Sequence, residues 1–212
     1  MPKRPQSTLE PRKSPVQARS TASVEAILKA TIQVLLKVGK DRLTTTRVAA
    51  RAGVSVGTLY QYFPNKSALL RAALKRHMDE ILAAMETVCR EQSGSPLEDI
   101  AVALATRFLE AKMKDARTSV ALYSVSSDVD GARISREMSE KANRSIVAML
   151  ATAENELTRD PYQVASMLQA TMAGVSRRLL ESSSPENDYE TMRDELMFLV
   201  RAYLRSCSKS RE

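Results

Sequence analysis

Between residues 44 and 66 the chain reads TTTRVAARAGVSVGTLYQYFPNK, and Gly53 dictates how it must turn. Val48, Ala49 and Ala52 share one face of a short helix opened by the threonine run. Thr44 or Thr45 caps it, because a side-chain oxygen there can accept an orphan N–H of the first turn. Gly53 ends the helix, since glycine takes the left-handed conformation without steric cost. Ser55 caps a second short helix, from Val56 to about Phe63, whose Leu59 and Phe63 stand four residues apart and point back at the first. Pro64 halts it. Ala49 and Ala52 are small enough for the two helices to cross closely. Such a helix-turn-helix offers its second helix to a DNA groove, with Val56, Gly57, Thr58, Gln61 and Tyr62 on its remaining faces. The N-terminus of that helix also carries free N–H groups and a positive dipole end, both favourable toward phosphate.

Charge follows the same division. Residues 1–78 hold 15 Lys/Arg against 3 Asp/Glu, a balance of +12, whereas residues 79–212 hold 17 against 22, a balance of −5. A basic first third joined to a mildly acidic remainder implies a module that meets a polyanion and a second module with another task. Nucleic acid leads among polyanions, because no lipid-anchoring pattern is present. Residues 1–21 contain four prolines and five Lys/Arg with little apolar periodicity, which predicts a disordered basic arm. Its Arg12, Lys13 and Arg19 either add charge against the DNA backbone or minor groove, or belong to a tail without a role.

Helical periodicity and caps account for the rest. A first amphipathic helix runs over about 22–38 and stops at Gly39. Asn65 caps a long helix of about 66–90 with an apolar stripe of Leu70, Leu74, His77 or Met78, Ile81, Met85 and Val88. Ser95-Pro96-Leu97-Glu98 predicts a capping box opening a helix to about Lys114. Further helices are expected at about 116–126, 130–157 (after the break SSDVDG), 161–181 and 185–206. Period-two alternation is not sustained anywhere, so the fold class is all-α. The domain plan is an arm over 1–21, a DNA-binding domain over 22–78 with its motif at about 43–63, and a C-terminal domain over 79–212.

Chemistry is scarce. One histidine and two cysteines argue against a zinc site or a disulfide scaffold. The sequence has no nucleophile–base pair, phosphate loop or metal cluster, so no enzyme activity, cofactor or metal is expected. His77 shares a face with Leu70, Leu74 and Ile81 and reads as a packed, hydrogen-bonded histidine. Cys89 and Cys207 show no obvious cationic pair and no resolving partner in sequence to mark a redox sensor. Asp128, Asp130, Glu137 and Glu140 read as a solvated helix start. With no apolar run near the roughly 20 residues of a membrane span, a reducing, cytoplasmic setting is expected.

The string TTTRVAARAGVSVGTLYQYFPNKSALL closely resembles the DNA-binding signature of the TetR family of bacterial transcriptional regulators. Its slots are filled by Thr44 or Thr45, Val48-Ala49, Ala52-Gly53-Val54-Ser55, Gly57-Thr58-Leu59-Tyr60-Gln61-Tyr62-Phe63, Lys66 and Leu69. The resemblance covers about residues 22–80. It implies an N-terminal three-helix helix-turn-helix domain and a C-terminal helical bundle for ligand binding and dimerisation. Carried over residue by residue, it implies that Thr45, Thr58, Tyr60, Tyr62 and Lys66 contact phosphates, while Thr46, Val56, Gly57 and Gln61 sit nearest base edges. Arg47 adds backbone charge. Gln61 could read adenine, and Val56 or the Thr46 methyl could meet a thymine methyl.

For the C-terminal domain the resemblance implies a pocket for a small apolar or amphipathic effector. Phe108, Met113, Tyr123, Met149, Met167 and Met172 are its candidate lining, since soft unbranched side chains suit varied apolar ligands. Dimerisation through the last two helices is implied too, along Tyr162, Ala165, Met172, Val175, Leu179, Leu196, Leu199 and Tyr203; these stripes could equally pack within one subunit. The expected function is a homodimeric repressor in the bacterial cytoplasm, nucleoid-associated when bound to DNA, and released from a palindromic operator by its effector. The alternative is a TetR-like DNA-bound protein that recruits a protein partner without small-molecule control.

Overall fold

The computed structural model of the chain describes residues 18–209. Residues 1–17, with Arg12 and Lys13 of the expected arm, lie outside the described residues. The arm was expected to reach residue 21, but the first helix, α1, already spans Ala18–Arg42. A tertiary partner accounts for the difference: Tyr62 Oη donates to Ser20 Oγ at 3.1 Å, a contact 42 residues apart in sequence.

Among the described residues every regular element is helical. After α1 come α2 (Thr45–Ala52), α3 (Val56–Tyr62), α4 (Lys66–Glu91), α5 (Leu97–Met113) and α6 (Ala116–Val125). A 3-10 turn (Ser126–Asp128) leads to α7 (Gly131–Leu150), α8 (Pro161–Leu180) and α9 (Pro185–Ser206). The chain separates into two compact units, one running to His77 and including Arg117–Ile134, the other formed by Met78–Ala116 and the remainder from Ser135. The first division falls between His77 and Met78. The return of Arg117–Ile134 to the N-terminal unit had no signal in the sequence.

In the first unit, α1 packs on α2 and α2 on α3. Ile27, Leu43, Val48, Leu59, Phe63 and Leu69 are buried almost completely. Thr31 is also buried, its hydroxyl turned back to the Ile27 carbonyl at 2.7 Å, which satisfies it within its own helix. His77 Nε2 lies 3.0 Å from Ser119 Oγ, the packed, hydrogen-bonded histidine its helical face suggested.

In the second unit, α5 packs against α9 and α8, and α8 against α9. Ile100, Leu104, Leu168, Met172, Leu196 and Val200 lie in its core. Two helix boundaries differ from expectation here. The helix predicted to reach residue 157 ends at Leu150, because the following backbone finds partners elsewhere. Thr152 Oγ1 bonds the Met149 carbonyl at 2.7 Å, Glu154 N donates to Ser95 O, and Thr158 N donates to Cys207 O. The capping box at Ser95 does not form either: Pro96 is the N-cap residue of α5, without a side-chain cap bond. Asn155 Oδ1 instead takes the Leu97 N–H at 3.3 Å, and Glu98 accepts two bonds of 2.8 Å from Arg205. Those bonds, with the guanidinium charge, hold the Glu98 carboxyl below its usual range.

Candidate nucleic-acid interface

Local chemistry builds the reading head in the way its residue types require. Thr44, in extended backbone, accepts the Arg47 N–H at 3.3 Å and opens α2. Gly53 closes it at φ 69°, with its own N–H on Ala50 O and the Val54 N–H on Ala49 O. Ser55 then accepts the Thr58 N–H at 2.9 Å, so α3 starts at Val56. Phe63 is the C-cap rather than the last helical residue, and it is 2% exposed beside a fully buried Leu59. Asn65 Oδ1 caps α4 through the Ala68 N–H at 2.8 Å. A helix of seven residues has no stability of its own. These two side chains and the caps at its ends set where α3 stands.

The side chains expected to meet DNA divide by what they touch. Thr46, Arg47, Gly57, Tyr60 and Gln61 are exposed, while Thr45, Val56, Thr58, Tyr62 and Lys66 are half-buried. Several are already engaged. Thr45 Oγ1 and Tyr60 Oη lie 3.0 Å apart, which ties the start of α2 to the middle of α3. Thr58 Oγ1 is 2.8 Å from Ser55 Oγ, Tyr62 Oη reaches Ser20, and Arg47 Nη1 donates to Arg42 O at 3.1 Å. Lys66 Nζ donates to the Lys40 carbonyl at 2.5 Å. One bond leaves an ammonium with two more donors, so Lys66 is pre-positioned rather than used up. Sequence reasoning missed Ser20 and Lys40, because contacts to residues so far away in the chain leave no local signature.

The pocket candidates are not brought together as a set. Met149 and Met172 belong to the core of the second unit, with Phe108 and Met113 half-buried against it. Tyr123 belongs to the other unit and is 48% exposed, and Met167 is 53% exposed, so neither lines that interior. Lys112, which the pattern did not single out, is buried one turn beyond Phe108, its ammonium 5.8 Å from the ring centroid.

The expected dimer stripe also divides. Ala165, Met172, Leu179 and Leu196 are fully buried in their own subunit, where α8, α9 and α5 pack on one another, and Val175 and Tyr203 are half-buried there. Tyr162 and Leu199 do face outward, joined by Met167 and by Phe198 at 73% exposure. Phe198 was missed, since it falls off the stripe that helical spacing selects. Cys89 and Cys207 are free and buried. No metal-binding group of His, Cys, Asp or Glu occurs among the described residues. Nor is any described helix long and apolar enough to cross a membrane.

A buried two-residue anchor beneath an exposed seven-residue helix, opened by caps and backed by a basic unit, defines a helix-turn-helix DNA-binding protein. Residues 27–73 match the family described as bacterial regulatory proteins, tetR family. Residues 96–204 match the tetracyclin repressor-like C-terminal domain. The chain belongs to the TetR family of transcriptional regulators.

Among similar proteins, the HTH-type transcriptional regulator SAR0097 of Staphylococcus aureus is 30% identical over 90 residues, 42% of this chain and 47% of that one. The HTH-type transcriptional repressor KstR of Mycolicibacterium smegmatis is 47% identical over 55 residues, 26% of this chain and 27% of that protein. The chain thus aligns with about half or less of the length of these relatives. A TetR-family regulator from Mesorhizobium loti superposes with a TM-score of 0.77 at 19% identity, covering 91% of this chain and all of the other. That likeness speaks for the fold alone.

Proposed function

We propose that the protein is a homodimeric repressor that binds a palindromic operator in the bacterial cytoplasm and leaves it when a small apolar or amphipathic molecule binds the C-terminal unit. The exposed face of α3, with Gly57, Tyr60 and Gln61 outward over a buried Leu59, carries this reading. Two such helices related by a two-fold axis enter successive major grooves, so the operator shares the protein's symmetry. Thr45, Thr58, Tyr60, Tyr62, Arg47 and Lys66 act on the phosphates and Thr46, Val56, Gly57 and Gln61 on base edges, since backbone contacts position and base contacts specify.

The outward apolar residues of α8 and α9, Tyr162, Met167, Phe198 and Leu199, support a dimer face. Met149, Met172, Phe108 and Met113 support an apolar effector site. Release follows from linkage: an effector that binds better to the form with misplaced recognition helices lowers DNA affinity by that differential. The long helix α4, Lys66–Glu91, contributes residues to both units and is the natural lever.

Selection of genomic DNA by the purified protein tests the proposal. A single palindrome near a promoter is expected, with a log–log salt slope of about −3.6 for two ionic phosphate contacts per subunit. Tyr60→Ala weakens binding to that fragment and leaves the dimer intact. Flat, sequence-indifferent binding overturns the operator reading.

A further inference from the structure

The turn that ends α1 gathers contacts from elements far apart in the chain. Gly39 breaks the helix at φ 74° and ψ 172°, a conformation that favours glycine, and Lys40–Arg42 follow as a separate turn. Three groups from three other elements converge on it. Arg47 of α2 donates to the Arg42 carbonyl at 3.1 Å, and Lys66, the first residue of α4, donates to the Lys40 carbonyl at 2.5 Å. The Lys40 ammonium itself meets Asp128 Oδ2 at 3.1 Å.

Asp128 closes the 3-10 turn between α6 and α7, and this joint is well held. Leu122, Val125, Val129 and Ile134 around it are 0–2% exposed, and Arg133 bonds Asp130 at 2.7 Å, with Asp130 at φ 59°. A Cβ on Gly131 would stand 2.7 Å from the Ser126 carbonyl oxygen, so the backbone there closes as tightly as it can. A carboxylate carried on this well-held backbone therefore meets a lysine whose own carbonyl holds the residue that starts α4, three positions after Phe63.

We infer that Asp128 is a positioning residue for operator binding: through Lys40 it fixes the Lys40–Arg42 turn, and that turn places Arg47, Lys66 and the end of α3. The inference rests on the operator reading above for its DNA consequence, but not for the tie itself. Its sign opposes simple electrostatics. Deleting an acidic charge from a basic DNA-binding unit, and freeing Lys40, favours tighter binding to any duplex. A positioning role requires weaker binding to the cognate one only. Both side chains are near half exposed, at 42% and 49%, so each pair carries a modest effect.

The experiment uses the full chain as wild type, Asp128→Asn, Lys40→Met, and the swap Lys40→Asp with Asp128→Lys. Affinity is measured on the genomic fragment that wild type selects and on a mixed-sequence duplex of the same length. Amide exchange over residues 56–70 is followed without DNA. Asp128→Asn is expected to weaken the selected fragment about three- to tenfold over the two subunits, with mixed-sequence binding unchanged or tighter. Exchange over 56–70 accelerates, and the swap recovers both. Equal tightening on both duplexes, or unchanged exchange over 56–70, overturns the inference. Should wild type select no fragment, the operator reading fails, and exchange alone still decides whether the tie exists.

Discussion

Leu59→Ala isolates what holds the recognition helix. Leu59 is fully buried under a helix of seven residues, too short to persist by its own hydrogen bonds. Removing three carbons forfeits about 2.4 kcal/mol at ~0.8 kcal/mol per buried methylene. The cavity left behind brings the total to about 3 kcal/mol, within the usual Leu→Ala range. At 1.4 kcal/mol per decade, that is about 150-fold in the equilibrium for local opening of α3. Amide hydrogen exchange reads it directly: protection over Val56–Phe63 falls about 100-fold, while amides of α5, α8 and α9 keep theirs. Affinity for the selected DNA falls in parallel, because DNA must restore a helix no longer formed. Leu59→Met, which conserves volume, retains most of both. Exchange over Val56–Phe63 within threefold of wild type would refute the argument that burial of this side chain sets the helix.

Other perturbations are expected to read as follows. Gly131→Ala places its methyl 2.6–2.9 Å from Ser126 atoms, two of them backbone, and lowers stability by about 1–3 kcal/mol in a denaturant titration. Phe198→Glu, at a position 73% exposed, leaves the subunit's fold unchanged by circular dichroism but converts the proposed dimer to monomer in sedimentation. Burial, aided by Glu86, pushes the Cys89 thiol up to about 11, so native alkylation at pH 8 is slow and becomes fast only on unfolding. Because the unfolded thiol ionises from pH 9.0 and the folded one near 11, the Cys89 contribution lowers stability as pH rises through that window. A Cys89→Ala variant lacks this alkaline decline.

Much of the protein is local, and what is local was legible in the residues. Thr44, Ser55 and Asn65 cap the helices their positions foretold, and Gly53 turns left-handed where the chain must reverse. Each of these depends on a side chain and a backbone group within four residues, so sequence order alone carries the information. The same holds for the buried pair Leu59 and Phe63, the break at Gly39 and the all-helical class. Tertiary partners decided the rest. Ser20 entered α1 because Tyr62 reaches it; α7 stopped at Leu150 because Ser95 and Cys207 satisfy the backbone that follows; α5 lost its capping box to Asn155. Whether an apolar stripe on α8 or α9 faces its own core or another subunit is equally invisible to periodicity. Ala165, Met172, Leu179 and Leu196 turn inward while Phe198 turns out. Helical spacing names a face but not what that face meets, and contacts between residues tens of positions apart form only when the chain closes upon itself.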